Sequence, residues 1–332
     1  MSAADLQTAG SALADPVVQT HRLTKRFGAQ TVVDGIDLSV PRGSVFGFLG
    51  PNGSGKTTTI RILLGLAAAT SGEVHVLGQA IPRHLPNVLP RVGALVEGPG
   101  FYPFLSGRAN LRRLDAADRF VSPSTRRSRV ETALERVGLS HAAGKKVGAY
   151  SLGMKQRLGI ANALLTHRDL IVLDEPTNGL DPQGTREVRH LVRSLTAEGT
   201  TVFVSSHLLA EVEQICSHVA VLRAGRLVAQ GTLDEVRGAG QKLLQVLTPD
   251  VELAHQVLAG VGLIAEGQLH DHHDYHDGSP RISVPLPADF PPDRIATALV
   301  SAGVRINGFS VEQAGLEDLF VALTGEGFDV VQ

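Results

Sequence analysis

Val45, Phe46, Gly47, Phe48 and Leu49 form a short, nearly unbroken apolar run that leads directly into a glycine-rich segment. A run this short, with no polar alternation, predicts a strand buried on both faces. Ile60, Leu63 and Leu64 then recur at helical spacing, so the glycine segment joins a buried strand to a helix. Residues 36–40 alternate apolar and polar, the pattern of a half-buried strand. A second strand-to-helix pattern begins at residues 170–173, and a third runs from residues 201–205 into residues 208–216. Repeated strand-to-helix units predict an α/β fold with a mostly parallel sheet and helices on its faces. Residues 106–166 are mainly helical in periodicity, with Val130, Leu134 and Val137 on one face and a helix after Ser151. They read as an α-helical subdomain inserted into the α/β unit.

The character changes beyond Gly231. Strands are expected at residues 242–248, 263–269, 281–286 and near 304–310, and helices at 252–259 and 292–302. This β-α-β-β-α-β order suggests a small α+β, ferredoxin-like appendage. A last helix, residues 316–323, carries Leu316, Leu319, Phe320 and Leu323 on one stripe suited to internal packing. The expected organisation is a disordered lead-in at residues 1–15, a main α/β domain at 16–237 and an accessory α+β domain at 238–332.

Composition narrows the class. The chain has 332 residues, 43% of them hydrophobic and 19% charged, within the range of soluble globular proteins. Its net charge of −2 supplies no global field for nucleic acid or anionic lipid. An aromatic content of 4% without tryptophan argues against a stacking platform for single strands. No segment approaches the roughly 18 apolar residues of a membrane span, and the N-terminus lacks the pattern of a secretory signal. Cys216 is the only cysteine, excluding an internal disulfide; lying four residues after Val212, it is expected to pack on a helix. The basic runs at Arg126, Arg127 and Arg129 and at Lys145 and Lys146 read as solvated helix faces. His270, His272, His273 and His276, with Asp271, Asp274 and Asp277, are types that ligate Zn²⁺, Ni²⁺ or Cu²⁺. Gly267, Gly278 and Pro280 give that stretch the composition of an inert loop instead.

The segment Gly50, Pro51, Asn52, Gly53, Ser54, Gly55, Lys56, Thr57 matches the glycine-rich nucleotide phosphate loop. Its backbone N–H groups and the following helix N-terminus would cradle phosphates. Lys56 would reach the β- and γ-phosphates, Thr57 would offer its hydroxyl to Mg²⁺, and Thr58 would add a phosphate hydrogen bond. Leu170, Ile171, Val172 and Leu173 lead into Asp174 and Glu175. At the end of a buried strand, Asp174 would hold Mg²⁺ and Glu175 would act as general base toward water.

These motifs, followed in order by Tyr150, Ser151, Leu152, Gly153, Met154, Lys155, Gln156 and Arg157, resemble the ATP-binding subunits of ABC transporters. The resemblance covers about residues 17–231. It implies a P-loop ABC-ATPase fold, a mostly parallel sheet with an antiparallel β portion, and Mg²⁺-dependent ATP hydrolysis. It also implies a homodimer, or a heterodimer with a similar ATPase, formed on ATP binding. By the same resemblance Phe27 stacks on adenine, and Ser151 and Gly153 bind the γ-phosphate of ATP held by the other subunit. Asp181 lies in the loop through which the sites communicate, and His207 contacts the γ-phosphate and attacking water.

Two positions depart from the family pattern. Glu97 stands where a glutamine usually ligates Mg²⁺ and senses the membrane partner. Tyr150, Leu152 and Met154 replace the usual Leu, Gly and Gln, which puts the backbone freedom at residue 152 in question. Both departures resemble the bacitracin and daunorubicin resistance subgroup. That subgroup implies a peripheral protein at the cytoplasmic face, driving export through a separate polytopic membrane permease. The competing expectations are a soluble ABC-type ATPase acting on DNA or ribosomes, and a small-molecule kinase. The coiled coils, zinc modules or paired cassettes typical of the former are not seen, and a kinase leaves Ser151–Arg157 and His207 unexplained. No nucleic-acid partner is expected.

Overall fold

The computed structural model describes residues 15–96, 100–238, 242–263, 280–287 and 290–313. Strands Val45–Leu49, Leu170–Asp174 and Thr201–Ser206 are buried at every position, which is why their sequences run apolar instead of alternating. They lie side by side in a six-stranded sheet ordered Arg226–Thr232, His218–Arg223, Val45–Leu49, Thr201–Ser206, Leu170–Asp174, Val92–Leu95. Every neighbouring pair is parallel except His218–Arg223 with Arg226–Thr232. Adjacent parallel strands end at the same edge, so residues that follow Leu49, Asp174 and Ser206 converge there without any long-range design in the loops.

A second, antiparallel sheet joins Val18–Phe27 to Gln30–Ile36, Ser39–Val40 and Ser71–Val76, with Gln79–Ala80 at its edge. One apolar cluster fills the space between the sheets, from Val18, Leu23 and Ile36 to Phe46, Phe48 and Phe203. The Phe46 and Phe203 rings stack at 5.6 Å. The strand expected at residues 36–40 is interrupted at Asp37 and Leu38. Side chains replace the ladder there: Arg22, at φ 44°, donates its N–H to Asp37 Oδ1 at 2.8 Å, and the Leu38 N–H donates to Thr20 Oγ1 at 2.9 Å. The burial alternation that suggested a strand persists through the break.

Helices Gly107–Ala117, Arg126–Arg136 and Leu152–Ala163 make up the inserted helical region. Val130 and Leu134 are buried on the middle helix as their spacing required. The basic run at 126–129 is not simply solvated. Arg126 Nε lies 3.0 Å and Arg129 Nη2 2.7 Å from the buried carboxylate of Asp115, and Arg129 Nε donates to its other oxygen at 2.8 Å. Sequence periodicity could not reveal this, because the acid sits on the preceding helix.

The chain divides into two compact units at Leu233/Asp234. In the second unit, strand Lys242–Leu247 lies between Arg281–Leu286 and Gly308–Gln313, antiparallel to both. Helices Val251–Gly260 and Pro292–Ser301 contribute Leu258, Ile295 and Leu299 to a core with Leu244, Val246 and Val284. The strand expected near 304–310 starts later, at Gly308. Residues 302–304 instead close the preceding helix, with the Ala302, Gly303 and Val304 N–H groups donating to the Ala298, Val300 and Leu299 carbonyls. The lead-in up to residue 14, the expected strand at 264–269, the histidine cluster at 270–277 and the helix at 316–323 lie outside the described residues. Among the described residues no helix is long and apolar enough to cross a membrane.

Burial pushes the Asp115 carboxyl upward, but Arg129 and Arg126 outweigh it and hold the group below the usual carboxylate range. Asp115→Asn should therefore destabilise the first unit by about 3 kcal/mol, because two guanidinium groups lose their counter-charge. A depressed folded pKa gives stability that is complete above the unfolded value of about 4 and lost as pH falls through the folded value. Chemical denaturation of both proteins at neutral pH and at stepwise lower pH should show the gap closing in acid. A gap that stays constant would contradict the assignment.

Candidate functional site

The loop at residues 50–55 is shaped by close backbone approach. A Cβ on Gly50 would stand 2.7 Å from the Leu222 carbonyl oxygen. Gly55 has φ 103°, and a Cβ there would meet the Val32 carbonyl oxygen at 2.6 Å. Only glycine suits either place. Helix Lys56–Leu63 starts immediately afterwards, with Thr57 and Thr58 half-buried in its first turn. Ser54 Oγ is buried and makes no hydrogen bond. Pro51 is half-buried, whereas Asn52 and Gly53 are exposed at the loop tip.

Lys56 is buried, and its ammonium donates to the Gly50 carbonyl at 2.7 Å. It also lies 3.4 Å from Glu175 Oε1. Burial lowers its pKa, and the nearby Glu175 and Asp174 carboxylates only partly oppose that effect. The other carboxylate oxygen of Glu175 sits 2.7 Å from His207 Nδ1. One carboxylate is thus held between a lysine from the first strand-to-helix loop and a histidine beyond Ser206.

Glu175 holds φ 49°, a left-handed conformation that costs a non-glycine residue about 1–2 kcal/mol. Its neighbours fix that turn. The Glu175 N–H donates to Ser205 Oγ at 3.0 Å, and the same hydroxyl donates to Asp174 Oδ1 at 2.5 Å. The Glu175 carbonyl accepts from the Asn178 N–H and from Gln156 Nε2, each at 3.2 Å. Asp174 is buried and pairs in register with Ser205 across the parallel strands.

Sequence reasoning named Lys56, Asp174, Glu175 and His207, and the structure brings all four together. It missed the part played by Ser205, whose signal was a hydroxyl at the end of an apolar strand, beside the carboxylate strand. It also gave Gln156 no task. The remaining residues make other contacts. Phe27, at the end of its strand, is 53% exposed, with Lys25 Nζ 4.7 Å from its ring centre. Asp181 caps helix Pro182–Ala197, accepting from the Gly184 N–H at 2.7 Å. Ser151 is exposed and caps helix Leu152–Ala163, accepting from the Met154 N–H at 3.2 Å. Glu97 lies outside the described residues.

The departures at residues 150 and 152 have structural accounts. Leu152 opens its helix, a position that asks for none of the backbone freedom of glycine. Its side chain lies over Gly179, where a Cβ would come within 2.4 Å of Leu152 Cδ2. Tyr150 is buried and donates its hydroxyl to the Ala142 carbonyl at 2.7 Å, and burial raises its pKa against the opposing effect of Arg108.

The ABC transporter family model matches residues 33–178. The chain is 39% identical to a bacitracin transport ATP-binding protein of Bacillus licheniformis, over 94% of this chain and 98% of that one. It is 34% identical to a daunorubicin resistance ATP-binding protein of Streptomyces coeruleorubidus, over 95% and 98% of the two chains. A solved ATP-binding cassette, a dimer in a post-hydrolysis state with ADP and phosphate, superposes with TM-score 0.59 at 25% identity, covering 65% of this chain and 98% of that one.

Ser205→Ala removes the donor to buried Asp174 and the acceptor of the Glu175 N–H together. It should lower unfolding stability by about 1–3 kcal/mol. Urea titration of the two proteins measures this, and coincident midpoints would show that the bridge contributes nothing.

Proposed function

Because this chain belongs to the family of ABC-transporter ATP-binding proteins and is an ATPase, we propose that it energises export of a drug, peptide antibiotic or related compound. The pathway would be a separate polytopic membrane permease, with this subunit bound peripherally at the cytoplasmic face. The observation that carries the hydrolytic assignment is the Glu175 carboxylate held between Lys56 and His207. The export assignment is supported by similarity to a bacitracin transport protein along nearly the whole chain. Relatives of this kind favour transport over action on DNA or ribosomes.

The triphosphate of ATP would lie along residues 50–58, with the adenine on the exposed ring of Phe27. The buried, partnerless hydroxyl of Ser54 suits a phosphate oxygen. Glu175 takes a proton from the attacking water as the new bond to the γ-phosphorus forms. The bond from γ-phosphorus to its bridging oxygen breaks, and ADP leaves with that electron pair. Lys56 offsets charge on the phosphoryl oxygens, and His207 keeps the Glu175 carboxylate aimed.

Thr57 and Asp174 are hard oxygen donors that fit Mg²⁺, with Glu97 as a third candidate. Among the described residues no group of three or more His, Cys, Asp or Glu side chains forms a complete cage. Mg²⁺ is ordinarily held by one or two protein oxygens together with substrate phosphates and water, a set to which Thr57 and Asp174 would contribute. When bound, the ion neutralises charge on the β- and γ-phosphates.

Ser151, exposed, and Gly153, half-buried, stand at the start of helix Leu152–Ala163 and would serve a second copy's nucleotide. Two copies would close around two ATP molecules, each phosphate loop facing the other copy's Ser151, and hydrolysis would release them. That a solved cassette similar to this chain is dimeric with ADP and phosphate bound supports the pairing of two copies.

Glu175→Gln should bind ATP normally, hydrolyse it about 10²–10⁴-fold more slowly, and run as an ATP-bound dimer in size-exclusion chromatography. Turnover at the wild-type rate would sink the assignment of the base. In a mixed dimer, Ser151→Arg in one copy should disable the site whose phosphate loop lies in the other. Retention of both active sites would exclude the shared arrangement.

A further inference from the structure

The helix that begins at Leu152 touches the catalytic turn of its own chain at three places. Gln156 Nε2 donates to the Glu175 carbonyl at 3.2 Å. Leu152 lies over Gly179, and Leu180 lies against Gly153, whose Cβ would be 2.9 Å from Leu180 Cδ2. The two leucine contacts are reciprocal, each filling the space left by a glycine on the opposing segment. A side chain added at either glycine would push the segments apart.

Gln156 differs from the other groups around Glu175 in its origin. Lys56, Ser205 and His207 all follow from the parallel strands and their C-terminal edge. Gln156 alone comes from the inserted helical region. It holds the carbonyl of a residue whose backbone is strained at φ 49°. Releasing that carbonyl leaves the turn with Asn178 as its remaining carbonyl partner and loosens the aim of the carboxylate.

Resting on the reading of Glu175 as base, we propose that Gln156 is a positioning residue that ties the start of the Leu152 helix to the general base of the same chain. Ser151 caps that helix and serves the nucleotide of the other copy. The link is mechanical: a displaced helix start moves the Glu175 carbonyl and, through Leu152 and Leu180, the loop at residues 178–181.

Steady-state ATPase kinetics with Gln156→Met tests this, since methionine keeps the length and loses the donor. The expected result is kcat lower by about 10–100-fold with KM for ATP within about twofold. Gln156→Lys, which retains an N–H donor of similar reach, should recover most of the rate. Adding Gln156→Met to Glu175→Gln should leave the residual rate unchanged, because the residue it positions is already disabled. A wild-type kcat in Gln156→Met, or a loss of affinity and melting temperature in step with rate, would overturn the proposal. So would failure of Gln156→Lys to restore activity. The base assignment stands apart: it fails if Glu175→Gln itself turns over normally, whereas an inactive Glu175→Gln beside a fully active Gln156→Met removes this inference alone.

Discussion

The site depends on one residue being held where its backbone resists being. Glu175 is left-handed, and a carboxylate aimed by such a turn keeps its direction only while the surrounding groups over-determine it. Its N–H, its carbonyl and both carboxylate oxygens all have partners. The partner of the N–H, Ser205, is set by the parallel register that places it opposite Asp174. Sheet order thus reaches the chemistry directly: a slip of one residue would move Ser205 to the other face and leave a buried acid and a backbone donor unmatched.

Much of this was legible in the chain because burial on both faces leaves a strong signature. Val45–Leu49, Leu170–Asp174 and Thr201–Ser206 could be read as strands, and each is followed by a residue with assigned chemistry. What escaped were pairings between distant segments. Asp115 meets Arg126 and Arg129 only because two helices pack together, and nothing in a solvated-looking basic run marks its partner. Ser205 and Gln156 escaped for the same reason, since their work is done by a hydroxyl and an amide facing another element. The break at Asp37 was hidden because burial alternates through it while side chains, not the ladder, satisfy the backbone.

The two units differ in how they use the sheet. The first gathers its chemistry at the end of parallel strands, whereas the described strands of the second are antiparallel about Lys242–Leu247 and enclose their own apolar core. The bacitracin transport relative matches 94% of the chain, so the similarity extends into the second unit, whereas the solved cassette covers 65% of it. The second unit is therefore shared with full-length relatives of this kind and is not an isolated extension.

Gly47, in the middle of the strand that feeds the phosphate loop, leaves room that Val212 and Cys216 occupy: a Cβ there would stand 2.7 Å from Val212 Cγ1 and 2.9 Å from Cys216 Sγ. Burial raises the pKa of this thiol, which keeps it protonated and shields it from reagents. Since the chain has a single cysteine, its surface is chemically silent toward thiol-directed probes. A cysteine introduced at an exposed position such as Phe120 would therefore carry a label of its own, in a protein whose site is left native.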